Sequence, residues 1–139
     1  MTEAIEEFLR RMAMVNLTRE VARDTKLGEV LLKAGDLIVA PTALGNFPNE
    51  GPEDESDWLA VDFGRPRIVH ATFGAGAHYC MGSSLARAEI RIFLEEWLER
   101  IPDFAIAEGA SLEVKVGAAA MMPSLPLVWT PRKAAKDPV

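Results

Sequence analysis

The sequence predicts a mainly α fold with a small β part (α+β): two long helices, short β-hairpins and a long meander. Three observations carry that reading. Apolar residues recur at helical spacing over 3–14 and again over 82–101. Short apolar runs broken by Gly, Pro and charged residues fill 18–39 and 104–130, as short strands and turns do. Between them, 45–67 holds so many Gly, Pro and acidic residues that no regular element fits. A chain of 139 residues without internal repeat or low-complexity tract suits one domain, 1–139.

In the first helix Ile5, Phe8, Leu9 and Met12 form the apolar stripe, with Glu and Arg between them. Thr2 is a candidate N-cap, and Glu3, Glu6 and Glu7 suit the positive end of the helix dipole. Val21, Val30, Leu32 and Ile38 mark the following strands, and Gly28 and Lys33-Ala34-Gly35-Asp36 mark their turns. The segment GNFPNEGPEDESDWLAVDFGRPR, 45–67, reads as a surface meander; loops of this length are usually functional or disordered. Ala86, Ile90, Phe93, Leu94, Trp97, Leu98 and Ile101 give the second helix its apolar face, and Pro102 stops it. The end of the chain, 131–139, is polar and reads as a frayed tail.

Composition excludes several classes. Apolar residues make up 49% of the chain, ordinary for a folded protein, and no run of about 18 apolar residues exists to span a membrane. The formal charge of −6 carries no footprint of a nucleic-acid binder. The N-terminal TEAIEEFLRRM has no apolar signal core, and the single cysteine, Cys80, forbids an internal disulfide; a cytoplasmic protein is expected.

That cysteine stands in Phe73-Gly74-Ala75-Gly76-Ala77-His78-Tyr79-Cys80-Met81-Gly82, followed by Ser83-Ser84-Leu85-Ala86-Arg87. A lone Cys is usually a small buried apolar residue, so a Gly-rich loop with a buried thiol is the plain alternative. A phosphate cradle is disfavoured, because the loop lacks both the GxGxxG order and a GK[ST] ending. The third reading is a thiolate metal ligand. A thiolate needs positive potential around it, which the N–H groups at the start of the helix behind Gly82 supply. Gly74, Gly76 and Gly82 let the backbone turn tightly against a flat macrocycle. Phe73 packs beside the sulfur, His78 suits a haem propionate, and Leu85 and Ala86 offer an apolar surface to a porphyrin.

The pattern F-x-x-G-x-H-x-C-x-G followed by L-A-R resembles the haem-binding loop of the cytochrome P-450 family, in which the Cys is the proximal ligand to iron. Further landmarks resemble that family in the same register. Glu7-Phe8-Leu9-Arg10 looks like the E-x-x-R of its K helix. By itself an i, i+3 pair is usually solvated, but in the family it is buried and tied to the meander. Arg19 falls where the family places a propionate-binding Arg. Leu32 to Asp36, and Val61-Asp62-Phe63 with Arg65, resemble the strand after that Arg and the end of the meander. Arg100 to Phe104 and Leu125 to Trp129 resemble bacterial soluble members, the camphor hydroxylase group among them. The chain departs from the family in the wording of its meander, in Ala75 where many members carry a basic residue, and in Met81.

The resemblance implies the C-terminal, proximal-side part of that fold: K helix, short β region, meander, Cys loop, L helix and C-terminal hairpins. It implies haem b (iron protoporphyrin IX), with Cys80 as axial ligand and His78, Arg19, Phe73, Gly74, Gly76, Gly82 and Ala86 around it. It implies a monooxygenase that inserts one oxygen atom of O2 into a small apolar organic substrate, fed by a ferredoxin or flavoprotein. No A-G-x-[DE]-T pattern occurs in this chain, so no catalytic acid–alcohol pair is assigned to it. A truncated haem-binding module without oxygen chemistry is the alternative. By resemblance Val15, Asn16 and the turn Ala118 to Met122 face substrate, ordinary core or turn being the plainer reading. Arg65, Arg67, Arg87 and Arg91 are candidate steering charges for an acidic ferredoxin, a solvated face being the alternative.

Overall fold

A computed structural model describes residues 1–47, 56–66 and 68–130; Arg67, the middle of the meander and the 131–139 tail lie outside the described residues. The fold is α+β: two principal helices with three short antiparallel strand pairs.

Helix α1 spans Thr2–Arg11. It is shorter than the predicted 3–14. The carbonyls of Leu9 and Arg10, which a longer helix would pair with its own N–H groups, accept instead from Thr72 Oγ1 (2.7 Å) and Asn46 Nδ2 (2.8 Å). Beyond Met12 the backbone turns extended and joins a bridge between Val15 and Ala119. Thr2 is not the cap: Met1 holds that position, and no side chain caps the helix start. Of the three glutamates, Glu3 lies in the first turn, whereas Glu6 and Glu7 are engaged in ion pairs.

Strands β1 (Asn16–Glu20) and β4 (Leu37–Pro41) pair antiparallel from Asn16↔Pro41 to Glu20↔Leu37. Between them, β2 (Thr25–Leu27) and β3 (Val30–Leu32) form a hairpin over a two-residue turn. The meander opens on a 3-10 turn at Leu44–Asn46 and continues through a short helix α2, Ser56–Leu59. It is not wholly a surface loop, because Asn46 is buried and joins three segments.

Helix α3 runs Ser83–Arg100. It ends at the position before Ile101-Pro102, where the proline ring excludes the helical conformation of the preceding residue. Strands β5 (Phe104–Ile106) and β6 (Leu127–Trp129) pair antiparallel. Trp97 of α3 fastens this hairpin through edge contacts to Phe104 (5.8 Å) and Trp129 (6.2 Å), and stacks on Phe93.

The interior is polar. Among the described residues the buried apolar side chains are Ile5 and Val21, while Glu7, Arg10, Thr42, Asn46 and Ser83 are buried polar ones. Much of the apolar face predicted for α3 is open to solvent, Phe93 being 60% exposed and Leu98 also exposed. Among the described residues no helix is long and apolar enough to cross a membrane.

Candidate functional site

The site is built on a polar hub under α1. Arg10 grips Glu7 with two hydrogen bonds, Nε to Oε2 and Nη2 to Oε1, both 2.7 Å. The same guanidinium donates to the carbonyls of Trp58 (2.9 Å) and Ala60 (3.2 Å), and Glu7 Oε1 accepts the Asp62 N–H at 3.0 Å. A carboxylate and a guanidinium out of water are tolerable only when their remaining sites are filled, and here they are filled by the end of the meander. These bonds, with the Arg65 charge nearby, pull the Glu7 carboxyl from the ordinary 4.5 to about 2, against the opposing effect of burial. Asn46 completes the hub, donating to Thr72 Oγ1 (3.0 Å) and accepting the Ala71 N–H. The segment leading into the Cys loop is thereby fixed to the end of α1.

The loop itself closes through the Cys80 N–H, which donates to the Phe73 carbonyl at 2.9 Å. Gly74 and Gly76 sit at φ +74° and +66°, in the left-handed region where a Cβ is strained. Gly74 is also hemmed in, since a Cβ there would lie 3.7 Å from the His78 carbonyl and 4.0 Å from Leu17 of β1. A 3-10 turn at Gly76–His78 carries the chain to Tyr79 and Cys80. Gly82 occupies the N-cap of α3, and a Cβ on it would stand 3.8 Å from Cys80 Sγ. The thiol is therefore exposed, set against the start of an 18-residue helix, and bordered by a position without a side chain. It is not the buried thiol of the plain alternative.

His78 is exposed, on the turn that precedes Cys80. Arg19 is exposed on β1 and donates to the Thr18 carbonyl at 2.7 Å. Strand alternation puts it on the same face as Leu17, the side chain that reaches Gly74. Phe73 and Ala86 are half-buried. Asn16 Nδ2 donates to the Gly117 carbonyl (2.6 Å) and its N–H to the Ala118 carbonyl (2.9 Å), so the two segments read as substrate-facing are joined.

Two of the four candidate steering charges are not free. Arg65 pairs with Glu7 at 3.5 Å and lies 4.9 Å over the Trp58 ring. Arg87 pairs with Glu6, Nε to Oε1 at 2.6 Å and Nη2 to Oε2 at 3.0 Å, and lies 4.7 Å over the Phe73 ring. Arg91 is exposed, and Arg67 lies outside the described residues.

A family model described as cytochrome P-450 matches residues 1–111. The chain belongs to the cytochrome P-450 family. It is 35% identical over 130 residues to a steroid C26-monooxygenase of Mycolicibacterium smegmatis, covering 92% of this chain and 32% of that protein. It is 34% identical over 107 residues to nocardicin C N-oxygenase of Nocardia uniformis, covering 75% of this chain and 26% of that protein. Among solved P-450 structures it resembles CYP101J2 at TM-score 0.81 and 39% identity, over 93% of this chain and 32% of that one. CYP101C1 follows at TM-score 0.79 and 35% identity, over 93% and 33%. The chain thus spans about a quarter to a third of the P-450 relatives it matches.

Three site residues escaped the sequence reading. Glu6 is a carboxylate adjacent to the recognised Glu7. His70 is almost fully buried, with Nε2 3.0 Å from Glu6 Oε2. The Thr72 N–H approaches its Nδ1 at 3.4 Å, an arrangement that assigns the ring proton to Nε2. Asn46 is one polar residue in a polar meander. No periodicity marks any of the three, because each acts by long-range contact.

Proposed function

We propose that this chain supplies the proximal, thiolate-ligand side of the haem site of a cytochrome P-450 monooxygenase, as a partial domain spanning 1–139. The observation that carries the reading is the exposed Cys80 thiol at the start of α3, with the side-chain-free Gly82 against its sulfur. These residues fit haem. Cys80 is a soft donor on an open face, and the left-handed Gly74 and Gly76 bring flat backbone rather than side chains to that face. His78 and Arg19 would hold the propionates, and Phe73, Leu85 and Ala86 would pack against the macrocycle. Haem b, when bound, supplies the chemistry that splits O2 and inserts one oxygen atom into the substrate.

The chain's own part is to bind, orient and exclude water. The N-terminus of α3 stands beside the sulfur and turns its free N–H groups toward that end of the loop. The bond between the Cys80 N–H and the Phe73 carbonyl fixes the backbone that carries the sulfur. Val15 with Asn16, and the turn from Ala118, would meet a small apolar organic substrate as one unit. The matched relatives are named for a steroid and for nocardicin C, so membership leaves the substrate open. Electrons would arrive from a ferredoxin or flavoprotein, with Arg91 and Arg67 as the remaining steering charges. A cytoplasmic setting belongs to the same proposal.

A second reading is favoured by one observation. With Ile5 and Val21 the buried apolar side chains among the described residues, those residues enclose no far side for a haem. Taken alone, the chain binds haem without oxygen chemistry, which needs a closed, water-excluding pocket. Ferrous–CO difference spectra test the ligand: the chain is expected to give the thiolate-type band, and Cys80→Ala to lose it. Haem binding and band position unchanged in Cys80→Ala would overturn the assignment. Hydroxylase turnover by the chain with an added ferredoxin system would overturn the second reading.

A further inference from the structure

Glu6 lies outside the E-x-x-R pair and outside the Cys loop, yet two other segments converge on it. Its carboxylate takes two hydrogen bonds from Arg87 of α3 and faces His70 Nε2 at 3.0 Å. Arg87, held in this fork, touches both ends of the Cys loop. At one end its guanidinium covers the ring of Phe73, whose carbonyl accepts the Cys80 N–H. At the other it lines one cleft with Tyr79, the residue before the cysteine. Arg87 Nη1 also donates to the Ser83 carbonyl in the first turn of its own helix, at 3.4 Å. The Arg87 side chain is about one-third exposed, so the contact with Glu6, and not burial, selects this position for it.

We propose that Glu6 is a positioning residue for Cys80: through Arg87 it fixes Phe73, and with it the backbone that carries the sulfur. A carboxylate is required for two reasons. It accepts from both N–H groups of one guanidinium edge while also facing His70. It also neutralises a cation that would otherwise stand unpaired beside the loop. The meaning of this for a haem ligand rests on the thiolate reading above, whereas the positioning of the loop is measurable without haem.

The test is amide hydrogen exchange by NMR on the 139-residue chain, with Glu6→Gln and Arg87→Lys. Gln keeps the length but loses the charge, and Lys keeps the charge but loses the fork. Each variant is expected to raise exchange at the Cys80 N–H about tenfold or more, the order of one lost charge-assisted hydrogen bond, while the β5–β6 amides keep their protection. Unchanged exchange at Cys80 would overturn the proposal. An equal loss across β5–β6 would also overturn it, since Glu6 would then support the whole fold and not this loop. In the haem-bound chain, Glu6→Gln is expected to raise the reduction potential, because the Arg87 charge is left uncompensated beside the Cys loop. If Cys80→Ala shows that the thiolate reading is wrong, the exchange result still decides whether Glu6 positions the loop.

Discussion

The hub beneath α1 and the outer face of α3 are opposite in construction. At the hub, charged side chains are buried and nearly every polar site is filled. Glu7, Arg10, Asn46 and Thr72 exchange hydrogen bonds with one another and with four backbone carbonyls, those of Leu9, Arg10, Trp58 and Ala60. On α3, Leu85, Ile92 and Phe93 stand in solvent on one side of the helix. The difference separates two tasks. The hub holds together the pieces this chain contains, while α3 leaves apolar side chains uncovered. Large apolar surfaces left open in this way mark binding or assembly faces.

The largest effect is expected from breaking the hub. Arg10→Ala leaves the Glu7 carboxylate buried with one partner removed, a change that costs about 3–5 kcal/mol. Domains have only about 5–15 kcal/mol in hand, so urea denaturation of the variant should show a transition at far lower midpoint or none. Arg10→Lys keeps the charge but cannot span Glu7 and two carbonyls, and should recover only part of the loss. A midpoint within error of the parent for Arg10→Ala would mean that the hub is not what holds the fold.

Acid should reach the same hub more gently. The folded Glu7 carboxyl titrates at about 2, against an ordinary 4.5. Its folded value is depressed, so its contribution is complete above 4.5 and drains away as pH falls from there through about 2. Glu6 is shifted in the same direction, chiefly by Arg87, and adds to the trend. Midpoints measured between pH 6 and 2 should fall over that window in the parent. They should be flatter in Glu7→Gln, which starts from lower stability.

The same contrast explains what the sequence could tell. Helix α3 was legible almost to the residue, because a long 3.6-period pattern ending at Ile101-Pro102 is local information. The turns of the Cys loop were legible, because Gly74 and Gly76 take a backbone conformation that a side chain would strain. The length of α1 was not legible. It is set by Asn46 and Thr72, far along the chain, which take the carbonyls its last turn would have used. Arg65 and Arg87 read as steering or solvated charges for the same reason: pairing with Glu7 and Glu6 is a tertiary fact with no sequence period. Thr2 met the compositional rule for a cap, yet the helix begins one residue earlier, where rules of composition are weakest.

The smallest effect on folding, and the sharpest test of the open face, is expected at Leu85. Its side chain is 63% exposed, so Leu85→Ser removes little buried area and should cost the haem-free chain less than about 1 kcal/mol. Against a bound macrocycle the same side chain would be covered. Burying a leucine is worth about 1.5–3 kcal/mol, and losing that would weaken haem binding by roughly tenfold or more. Urea midpoints and haem titrations on the same two proteins therefore separate the two tasks. A residue of the open face should move the second measurement and leave the first almost still, the reverse of the hub. If Leu85→Ser lowers the midpoint as far as Arg10→Ala does, the division between holding the fold and presenting a face is wrong. If it leaves haem affinity unchanged, the macrocycle does not lie on this part of α3.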